Sequence, residues 1–512
     1  MRDASIILAL LISVAITIVA RAEPAPPQRP FWNAHAKQFI SAPAFDIGPE
    51  GAGSYRFTAT CEDGGVFSFV SDSPRATLAP IWEKLPVGTV RLKVEALAES
   101  GGKAVALIGE RQFHRAAAFA GNYGEPAIPY AKSAQLALDT VMHEPFVQSW
   151  RATGQPDAKY PLYRYASKVI GSLMSGCAMY ACQTPRPADA DDVLAIGAKA
   201  GDFLMTISAP ADTPLEYFPP TYHEAKPTER ENDNWTMLMS PAEAGQGYLD
   251  LYGATHEVRY LDAAKRIAAT YGKCQLASGT WHLKVDNRTG EPIAPIELIP
   301  SVVISFLDRL VTDDGLTSAQ PTRDRAIEWM MQNPVRTFDW KAQFDDAKVR
   351  GPYENLSKHE ATEFASYLFR TAKGDAAKIA LAGEILKFAE DQFVIWDHPP
   401  DLKTRNEKLK PENWFTPCSV EQYAMFEPIS GSSAFMIVAY VRGYEATGKK
   451  VYLDKADALA NALTRAQAHH HGRYPTRMIK EDLSYWINST INTARAMNQL
   501  ADCHERQQKR PK

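Results

Sequence analysis

The sequence predicts a mainly α-helical chain in which helical hairpins close into an (α/α)6 toroid, preceded by a small antiparallel β-sandwich. Three observations predict this fold. A residue pattern typical of a helical hairpin occurs twice, residues 116–505 contain long Ala- and Leu-rich stretches with the helical apolar period, and residues 32–115 alternate apolar with polar side chains.

The duplicated pattern is the strongest of these observations. Identical residues recur at a constant offset, from position 248 to 440 and from 260 to 452. The first copy comprises Tyr248, Tyr252, Ala254, Thr255, Tyr260, Leu261, Asp262 and Ala264, and the second comprises Tyr440, Tyr444, Ala446, Thr447, Tyr452, Leu453, Asp454 and Ala456. Gln275 and Gln467 keep the same offset. Self-similarity of this kind indicates copies of one unit, here a helix, a tight turn and a second helix.

The length of the helical part predicts how many units there are. It runs from about residue 122 to 505, which is twice the offset between the two copies. Six hairpins of equal length would fill this part of the chain, and three of them would span the offset. The lengths therefore favour a closed ring of six hairpins, with an open solenoid as the alternative.

The N-terminal residues divide into three segments. Residues 1–22 read as a signal peptide, because an apolar stretch ends at an Ala20-Arg21-Ala22 cleavage signal, and residues 23–31 read as a Pro/Ala linker. In residues 32–115, Tyr55, Phe57 and Ala59 alternate with polar residues between turn signals, which is typical of a β-sandwich. Residues 116–505 are the predicted toroid, and the basic residues 506–512 are a predicted disordered tail.

Composition and charge exclude several classes of function. A net charge of −4 gives no electrostatic basis for nucleic-acid binding. The apolar run of the signal peptide is short for a membrane span, and no later run is longer, so the mature protein is expected to be secreted or periplasmic, without a membrane segment. The three consecutive histidines at 469–471 do not have the spacing of metal ligands on a helix, and no metal or cofactor motif is found. The sequence does not predict an oligomeric state.

The hairpin motifs resemble those of a known superfamily. Helices that open with YLDAAKRIA at Tyr260 and YLDKADALA at Tyr452, with turns at Gly279 and Gly472, resemble the six-hairpin glycosidase superfamily and its polysaccharide-lyase relatives. The resemblance covers most of residues 122–505 and implies a carbohydrate-binding cleft at one end of the ring, built from loops between helices. The paired-aspartate signature of the family nine cellulases is absent, and the signature of the unsaturated glucuronyl hydrolases cannot be placed. Function must therefore be argued from individual sites.

The segment 413–428 is the first candidate site. Its Trp414 and Tyr423 could stack on the apolar faces of sugar rings, with Gln422 as a further sugar contact. Glu421 and Glu427 could supply the two carboxylates of glycoside hydrolysis, one as proton donor and one as base or nucleophile. The alternative is that the aromatic residues pack the ring and the glutamates cap helices.

The segment 353–361 is the second candidate. A polysaccharide lyase would use Asn355 to neutralise a uronate carboxyl group, and His359 or Tyr353 to move the α-proton. Ser357 also lies three residues before Glu360, the spacing of a helix capping box, which would give Glu360 a structural role.

The segment 229–235 is the third candidate. Asp233 and Trp235, with the preceding Tyr222 and His223, could bind sugar hydroxyl groups or a Ca²⁺ ion. Acid-rich loops of this kind are also found simply solvated at protein surfaces.

These observations lead to a ranked set of functional hypotheses. The leading one is an exported carbohydrate-active enzyme that hydrolyses glycosidic bonds in an oligo- or polysaccharide with paired carboxylates in the toroid cleft. The first alternative is a polysaccharide lyase that acts on a glycan containing uronic acid by β-elimination. The second alternative is a protein that binds glycans without cleaving them.

Overall fold

The fold is described from a computed structural model that covers residues 38–45, 47–48, 51, 53–98, 102–121, 123–346, 348–350, 355–397, 411–423 and 426–509. The predicted signal peptide and linker lie outside these residues. The described chain is mainly helical and begins with a small sheet. Among the described residues, no helix combines the length and the apolar character needed to cross a membrane.

Six helices form the inner wall of a closed ring. Each one contacts the next, and the last contacts the first. They are α4 (Gly171–Gln183), α6 (Ser240–Thr255), α8 (Ser301–Thr312), α11 (His359–Thr371), α13 (Ser430–Thr447) and α15 (Ile487–Gln508). The apolar sides of these helices are buried, as expected for helices that pack on both neighbours.

Six further helices pack outside this wall, one against each inner helix. They are α2 (Tyr130–Met142), α5 (Pro187–Thr206), α7 (Val258–Cys274), α9 (Gln320–Gln332), α12 (Ala376–Phe393) and α14 (Lys450–His469). Five of the pairs are consecutive in the chain, whereas α2 pairs with α15 and closes the ring. The predicted (α/α)6 toroid is therefore confirmed, and the open solenoid is wrong. Two short helices, α3 (Pro145–Thr153) and α10 (Pro334–Thr337), lie outside this scheme.

The two ends of the ring are built differently. At one end, inner and outer helices are joined by short turns such as 256–257 and 448–449. At the other end, long segments lead back to the first residue of the next inner helix: 207–239, 275–300, 333–358, 394–429 and 470–486. We call this second end the mouth and the first the far end. All six inner helices begin at the mouth and end at the far end.

The two copies of the sequence repeat have equivalent structures. Thr255 and Thr447 each donate a hydrogen bond to the carbonyl four residues earlier and accept one from the amide two residues later. The side-chain amides of Gln275 and Gln467 each donate to the carbonyl of a following glycine, Gly279 and Gly472. The repeated residues therefore specify the turn between two helices and the exit from the second helix.

The N-terminal sheet has five strands in the order β1-β5-β4-β2-β3, and all pairs are antiparallel except β1 with β5. The strands are β1 (Gln38–Phe39), β2 (Ser54–Cys61), β3 (Val66–Ser71), β4 (Gly88–Leu97) and β5 (Ala104–Arg115). Pairs such as Phe57 and Val94 are buried on one face, which explains the alternation in the sequence. Two two-stranded sheets complete the described strands: β6 (Trp235–Met237) with β7 (Lys284–Asp286), and β8 (Val394–Ile395) with β9 (Cys418–Ser419).

A β-sandwich needs a second sheet against the buried face of the first, and the described residues do not form one there. The buried face packs on helix α1 (Ala79–Trp82), whose Trp82 stacks on Phe113 with ring centroids 6.2 Å apart. The opposite face is open, with Val66 60% and Leu107 57% exposed. Alternation in a sequence shows that one face of a strand is buried, but it does not show what covers that face.

The sheet is attached to the ring through a buried carboxylate. Asp391 near the end of α12 accepts hydrogen bonds from the backbone amides of Ile40, at 2.9 Å, and Ser41. Burial and the neighbouring Glu390 raise the pKa of Asp391 to about 8. At the other end of the chain, α15 continues to Gln508, so it includes three residues of the stretch predicted to be a tail.

Candidate functional site

The ring encloses an axial cavity that extends from the first turns of the inner helices towards the far end. Its volume is about 460 Å³, and residues from all six inner helices line it. The upper level contains Glu243, in the first turn of α6, and His359, the first residue of α11. Because the helices are parallel, their first turns lie at similar depth, and the long segments at the mouth surround this level.

A lysine and three carboxylates form the centre of the candidate site. Lys168, in the π-helical turn before α4, has its Nζ atom 3.5 Å from Oδ2 of Asp345. The charges of Asp345, Glu243 and Glu421 overcome the effect of burial and raise the pKa of Lys168, which keeps it a cation. Burial raises the pKa of Glu243 to about 7, although Lys168 opposes this shift. Glu243 is therefore able to hold a proton near neutral pH.

Asp345 and Asp346 are adjacent acids in different surroundings. Asp345 is buried, and besides Lys168 its Oδ1 atom accepts a hydrogen bond from the amide of Asp346 at 3.1 Å. The side chain of Asp346 is exposed at the mouth. Lys284 donates from Nζ to the carbonyl of Asp345 at 2.8 Å, which fixes this segment against strand β7. One acid is thus held in an ion pair, while its neighbour is free to meet water or a ligand.

Aromatic rings form a wall beside the two aspartates. Tyr222 lies between Tyr165, with ring centroids 5.0 Å apart, and Trp235, at 5.3 Å. The ammonium group of Lys284 lies 4.2 Å from the ring centre of Trp235. Burial and the charge of Asp345 raise the pKa of Tyr222, so its hydroxyl stays protonated. Tyr222 and Trp235, which the sequence predicted as sugar-binding residues, therefore lie next to the acidic centre.

Glu421 and Glu427, which the sequence predicted as a catalytic pair of carboxylates, lie in two different environments. Glu421 is near Lys358 and Lys168, and burial raises the pKa of its carboxyl group. Glu427 accepts a hydrogen bond from Nε of Arg477 at 2.5 Å, in an ion pair beside the acidic centre. Glu421 thus belongs to the acidic centre, whereas Glu427 has its own cationic partner.

The start of α11 contributes both structural and candidate functional groups. Ser357 caps the helix, since its Oγ atom accepts a hydrogen bond from the amide of His359 at 3.0 Å, and it also donates to the carbonyl of Glu421 at 3.3 Å. Burial raises the pKa of Glu360 to about 7 and lowers that of Lys358 to about 8. Burial, with the charges of Lys358 and Lys168, lowers the pKa of His359 well below its ordinary value, so its imidazole is neutral at pH 7.

Several predicted site residues are buried in the protein. Trp414 is 5% exposed, Gln422 is 2% exposed and Asn355 is 1% exposed, so these side chains do not reach the cavity surface. Tyr423 stacks on Phe393 and bonds Gln392 through its hydroxyl group. Packing thus replaces the predicted contact of these four residues with sugar. The segment that carries Trp414, Gln422 and Tyr423 folds back on the end of α12, and Asn355 is buried before the start of α11.

The remaining predicted residues have structural partners or lie outside the described chain. Asp233 accepts hydrogen bonds from the amide of Ala225 at 3.1 and 3.2 Å and so closes its own loop. His223 packs edge-on against Phe203. No group of three or more His, Cys, Asp or Glu residues suited to a metal ion occurs in the described part of the chain, and the Ca²⁺ suggested for 229–235 finds no ligand set there. Tyr353 lies outside the described residues.

Sequence reasoning missed Lys168, Glu243, Asp345 and Asp346. Glu243 lies five residues before the first copy of the repeat, and no sequence pattern marked it as a candidate. Asp345-Asp346 follows Phe344 in a long segment between helices, which is the same combination of acids, aromatic residue and loop that drew attention to 229–235. That criterion would have found the two aspartates, but it could not show that they meet Lys168.

Comparisons with known proteins support the fold. No protein-family model matches the chain, and no curated protein matches it. Among solved structures, it is similar to a family 76 glycoside hydrolase from a bovine Bacteroides thetaiotaomicron strain, with a TM-score of 0.51 and 11% identity over 91% of this chain and 97% of that chain. It is also similar to cellobiose 2-epimerase from Spirochaeta thermophila DSM 6192, with a TM-score of 0.51 and 11% identity over 74% and 98%. At such identities the similarity shows the fold, which is that of the six-hairpin (α/α)6 toroid proteins.

Proposed function

We propose that the protein is a carbohydrate-active enzyme that hydrolyses glycosidic bonds at the mouth of the ring. Glu243 is the proposed proton donor, and Asp346 is the proposed base or nucleophile. The observation that carries this proposal is the pairing of a carboxyl group whose pKa is raised to about 7 with an exposed neighbouring aspartate across Lys168. Hydrolysis of a glycosidic bond needs one acid that keeps its proton and one that has lost it.

The surroundings of the two acids suit a sugar substrate. Trp235 is partly exposed and could meet a sugar ring, while the buried Tyr222 supports it from behind, and Lys284 holds the segment of the two aspartates in place. The axial cavity below provides space at the level of Glu243. The names of two proteins with a similar fold, a glycoside hydrolase and a cellobiose epimerase, add support for a carbohydrate substrate.

The test begins with a screen of oligosaccharides, in which product masses identify the reaction. Hydrolysis adds one water, elimination adds none and leaves a double bond that absorbs in the near ultraviolet, and epimerisation leaves the mass unchanged. On a cleaved substrate, Glu243→Gln and Asp346→Asn should each lower kcat by about 100-fold or more. Glu216→Gln, which alters a glutamate paired with the exposed Lys273 and outside the acidic centre, is the matched control.

Two outcomes would redirect the assignment of catalytic residues. Full activity in both Glu243→Gln and Asp346→Asn would overturn the proposed pair. Loss of activity in Glu421→Gln and Glu427→Gln with retention in the first two variants would instead support the pair predicted from the sequence.

β-Elimination is the second candidate, and one observation favours it. The neutral imidazole of His359 lines the cavity, with its ring perpendicular to Phe435 at 4.5 Å and with Lys358 and Lys168 nearby. A neutral imidazole can accept a proton, and the lysines could neutralise a uronate. Loss of an ultraviolet-absorbing product in His359→Ala would support this reaction. Saturable glycan binding without any product would support the non-catalytic alternative.

We also propose that the protein is exported, with cleavage after Ala22. The proposal rests on the apolar segment and the cleavage signal in residues 1–22. Expression of the full chain in a secreting host should give a mature protein that begins at Glu23, as determined by N-terminal sequencing. A cell-associated protein that retains Met1 would contradict it.

A further inference from the structure

The deeper level of the axial cavity is lined by arginines from four inner helices. They are Arg309 on α8, Arg370 on α11, Arg442 on α13 and Arg495 on α15. They follow the first residues of their helices by two to three turns, which places them roughly 12–18 Å below the mouth. Helices α8 and α15 stand opposite each other in the ring, so the cations surround the axis from different sides.

Each carboxylate that binds one of these four arginines also binds a second arginine. Asp250 on α6 binds Arg309 through one oxygen at 2.6 Å and Arg495 through the other at 2.8 Å. Although burial opposes ionisation, these two arginines hold the pKa of Asp250 below its ordinary value. A single negative charge therefore balances two guanidinium groups.

The other two arginines show the same sharing. Asp308 binds both Arg370, at 2.7 Å, and Arg323, at 2.8 Å. Glu445 binds both Arg442, at 2.7 Å, and Arg506, at 2.6 Å. Arg323 has a second partner in Asp324, at 2.8 Å, whereas Arg370 bonds Asp308 alone in the described part of the chain. Among the residues that line the cavity at this level, the four arginines outnumber the three carboxyl groups, which are those of Asp250, Asp313 and Glu363.

The remaining polar groups of this level leave that excess of arginines largely in place. Glu363 accepts a hydrogen bond from Ser305 at 2.7 Å, and burial raises the pKa of its carboxyl group. Asp313 lines only the solvent-exposed far rim. Gln246 accepts from Arg309 at 3.1 Å, while the buried Oε1 atom of Gln499 has no hydrogen-bond partner in the described structure.

The four guanidinium groups have donors to spare. A guanidinium group carries five N–H donors in a planar fork. Among the described residues, Arg370, Arg442 and Arg495 each bond a carboxylate through one terminal nitrogen, and Arg309 uses one nitrogen for Asp250 and Gln246. The four arginines line a cavity that, at about 460 Å³, holds many times the roughly 30 Å³ that a water molecule occupies.

We propose that this deeper level of the cavity is a binding site for one small oxyanion of the sulfate, phosphate or carboxylate type. Arginine forks bind such groups with two parallel hydrogen bonds and with charge complementarity. The oxyanion could be a free inorganic ion or the acidic substituent of a sugar that enters from the mouth. This site is separate from the proposed catalytic groups and does not depend on their role.

Calorimetric titration of the full-length protein tests the site and distinguishes the two sources. Sodium sulfate and sodium glucuronate are titrated at constant ionic strength, with sodium chloride and glucose as controls. Saturable binding of sulfate alone identifies a free-ion site, and tighter binding of glucuronate than of sulfate identifies a site for acidic sugars. Absence of saturable binding by both oxyanions would overturn the proposal.

Substitutions show whether the anion is at the proposed level. Arg370→Gln and Arg442→Gln should each weaken anion binding at least tenfold, whereas Arg473→Gln, a surface arginine paired with Glu144, should leave it unchanged. Arg442→Lys, which retains the charge but removes the fork, should weaken binding less than Arg442→Gln and serves where the glutamine variants do not fold. Equal affinity in all these variants would show that the anion binds elsewhere, for example at Lys168, and would refute the site.

Discussion

The mouth and the deeper level of the ring use similar charged groups in opposite proportions. At the mouth, Glu243, Glu360 and Glu421 are crowded around two lysines, and burial raises the pKa of each carboxyl group. In the deeper level, four arginines and three carboxyl groups line the cavity, and the pKa of Asp250 is held below its ordinary value. The comparison teaches that burial alone does not determine the protonation state, because the local ratio of acids to bases decides it.

Helix direction offers a physical reason for this distribution. Six parallel helices bring six positive N-terminal ends to the mouth and six negative C-terminal ends to the far end. Acids in the first turn, such as Glu243 and Glu360, are favoured at the mouth, and arginines further along the helices are favoured towards the far end. The direction of the helices alone therefore favours acids at the mouth and arginines towards the far end, without any contribution from a ligand.

The largest effect is expected from removing the cation at the mouth. Lys168→Met should lower activity at pH 7 by about 100-fold, because Asp345 loses its partner and the carboxylates are no longer balanced. The pKa of Glu243 should rise further, so the high-pH limb of the rate profile should move to higher pH. Kinetics over a pH range on a cleaved substrate measure both effects. Lys273→Met, which changes an exposed lysine paired with Glu216, is the control, and equal losses in the two variants would contradict the prediction.

A large loss of stability is expected when a shared carboxylate is removed. Asp308→Asn leaves Arg370 without its buried partner and Arg323 with Asp324 alone, and it should reduce the free energy of unfolding by about 3 kcal/mol. Urea denaturation measures this change. Asp202→Asn, which alters an exposed partner of Arg259, should cost less than about 1 kcal/mol. Similar values for the two variants would mean that sharing has no energetic significance.

A smaller effect is expected from removing the carboxyl group of Glu243, whose pKa is raised. In the unfolded chain this group loses its proton near pH 4.5, but in the fold it does so near pH 7, so the folded state binds the proton more tightly. Its contribution to stability is therefore present below pH 4.5 and is lost as the pH rises through 7. Relative to the wild type, Glu243→Gln should gain on the order of 1–2 kcal/mol between pH 4.5 and pH 8. Thermal unfolding at both pH values measures the gain. A difference in stability between the two proteins that is the same at both pH values would exclude the pKa shift of Glu243.

The smallest effect is expected at the turns of the far end. Thr255→Val and Thr447→Val each remove a hydroxyl group that bonds two backbone groups, and each should cost about 1 kcal/mol. Because the turns are equivalent and distant, the costs should be equal and additive in the double variant. Chemical denaturation of the three proteins checks this. Clearly unequal costs would show that the copies have diverged in energy despite their common geometry.

The far end was more predictable from the sequence than the mouth. The repeat at Tyr248 and Tyr440 contains local information, since a turn between two helices is specified by residues a few positions apart. The closed ring then followed from the spacing of the repeat. The single N-terminal sheet was predicted only in part, because the covering of its inner face by Trp82 and its neighbours depends on distant contacts.

The mouth depends on contacts that no local pattern encodes. Lys168, Glu243 and Asp345 come from three separate segments and meet only when the ring is closed. Trp414 and Trp235 were both predicted from the sequence to bind sugar. In the structure, Trp414 is buried, whereas Trp235 lies beside the acids. Predicting the site therefore required the fold, whereas predicting the fold did not require the site.

The pairing of α2 with α15 has a consequence for biosynthesis. The partners of this hairpin lie near residues 130–142 and 487–508, so the last contact of the ring forms only after almost the entire chain has left the ribosome. Such a long closing loop is entropically unfavourable and slow to form. Until then, the sides of α2 and α4 that contact α15 in the closed ring remain uncovered.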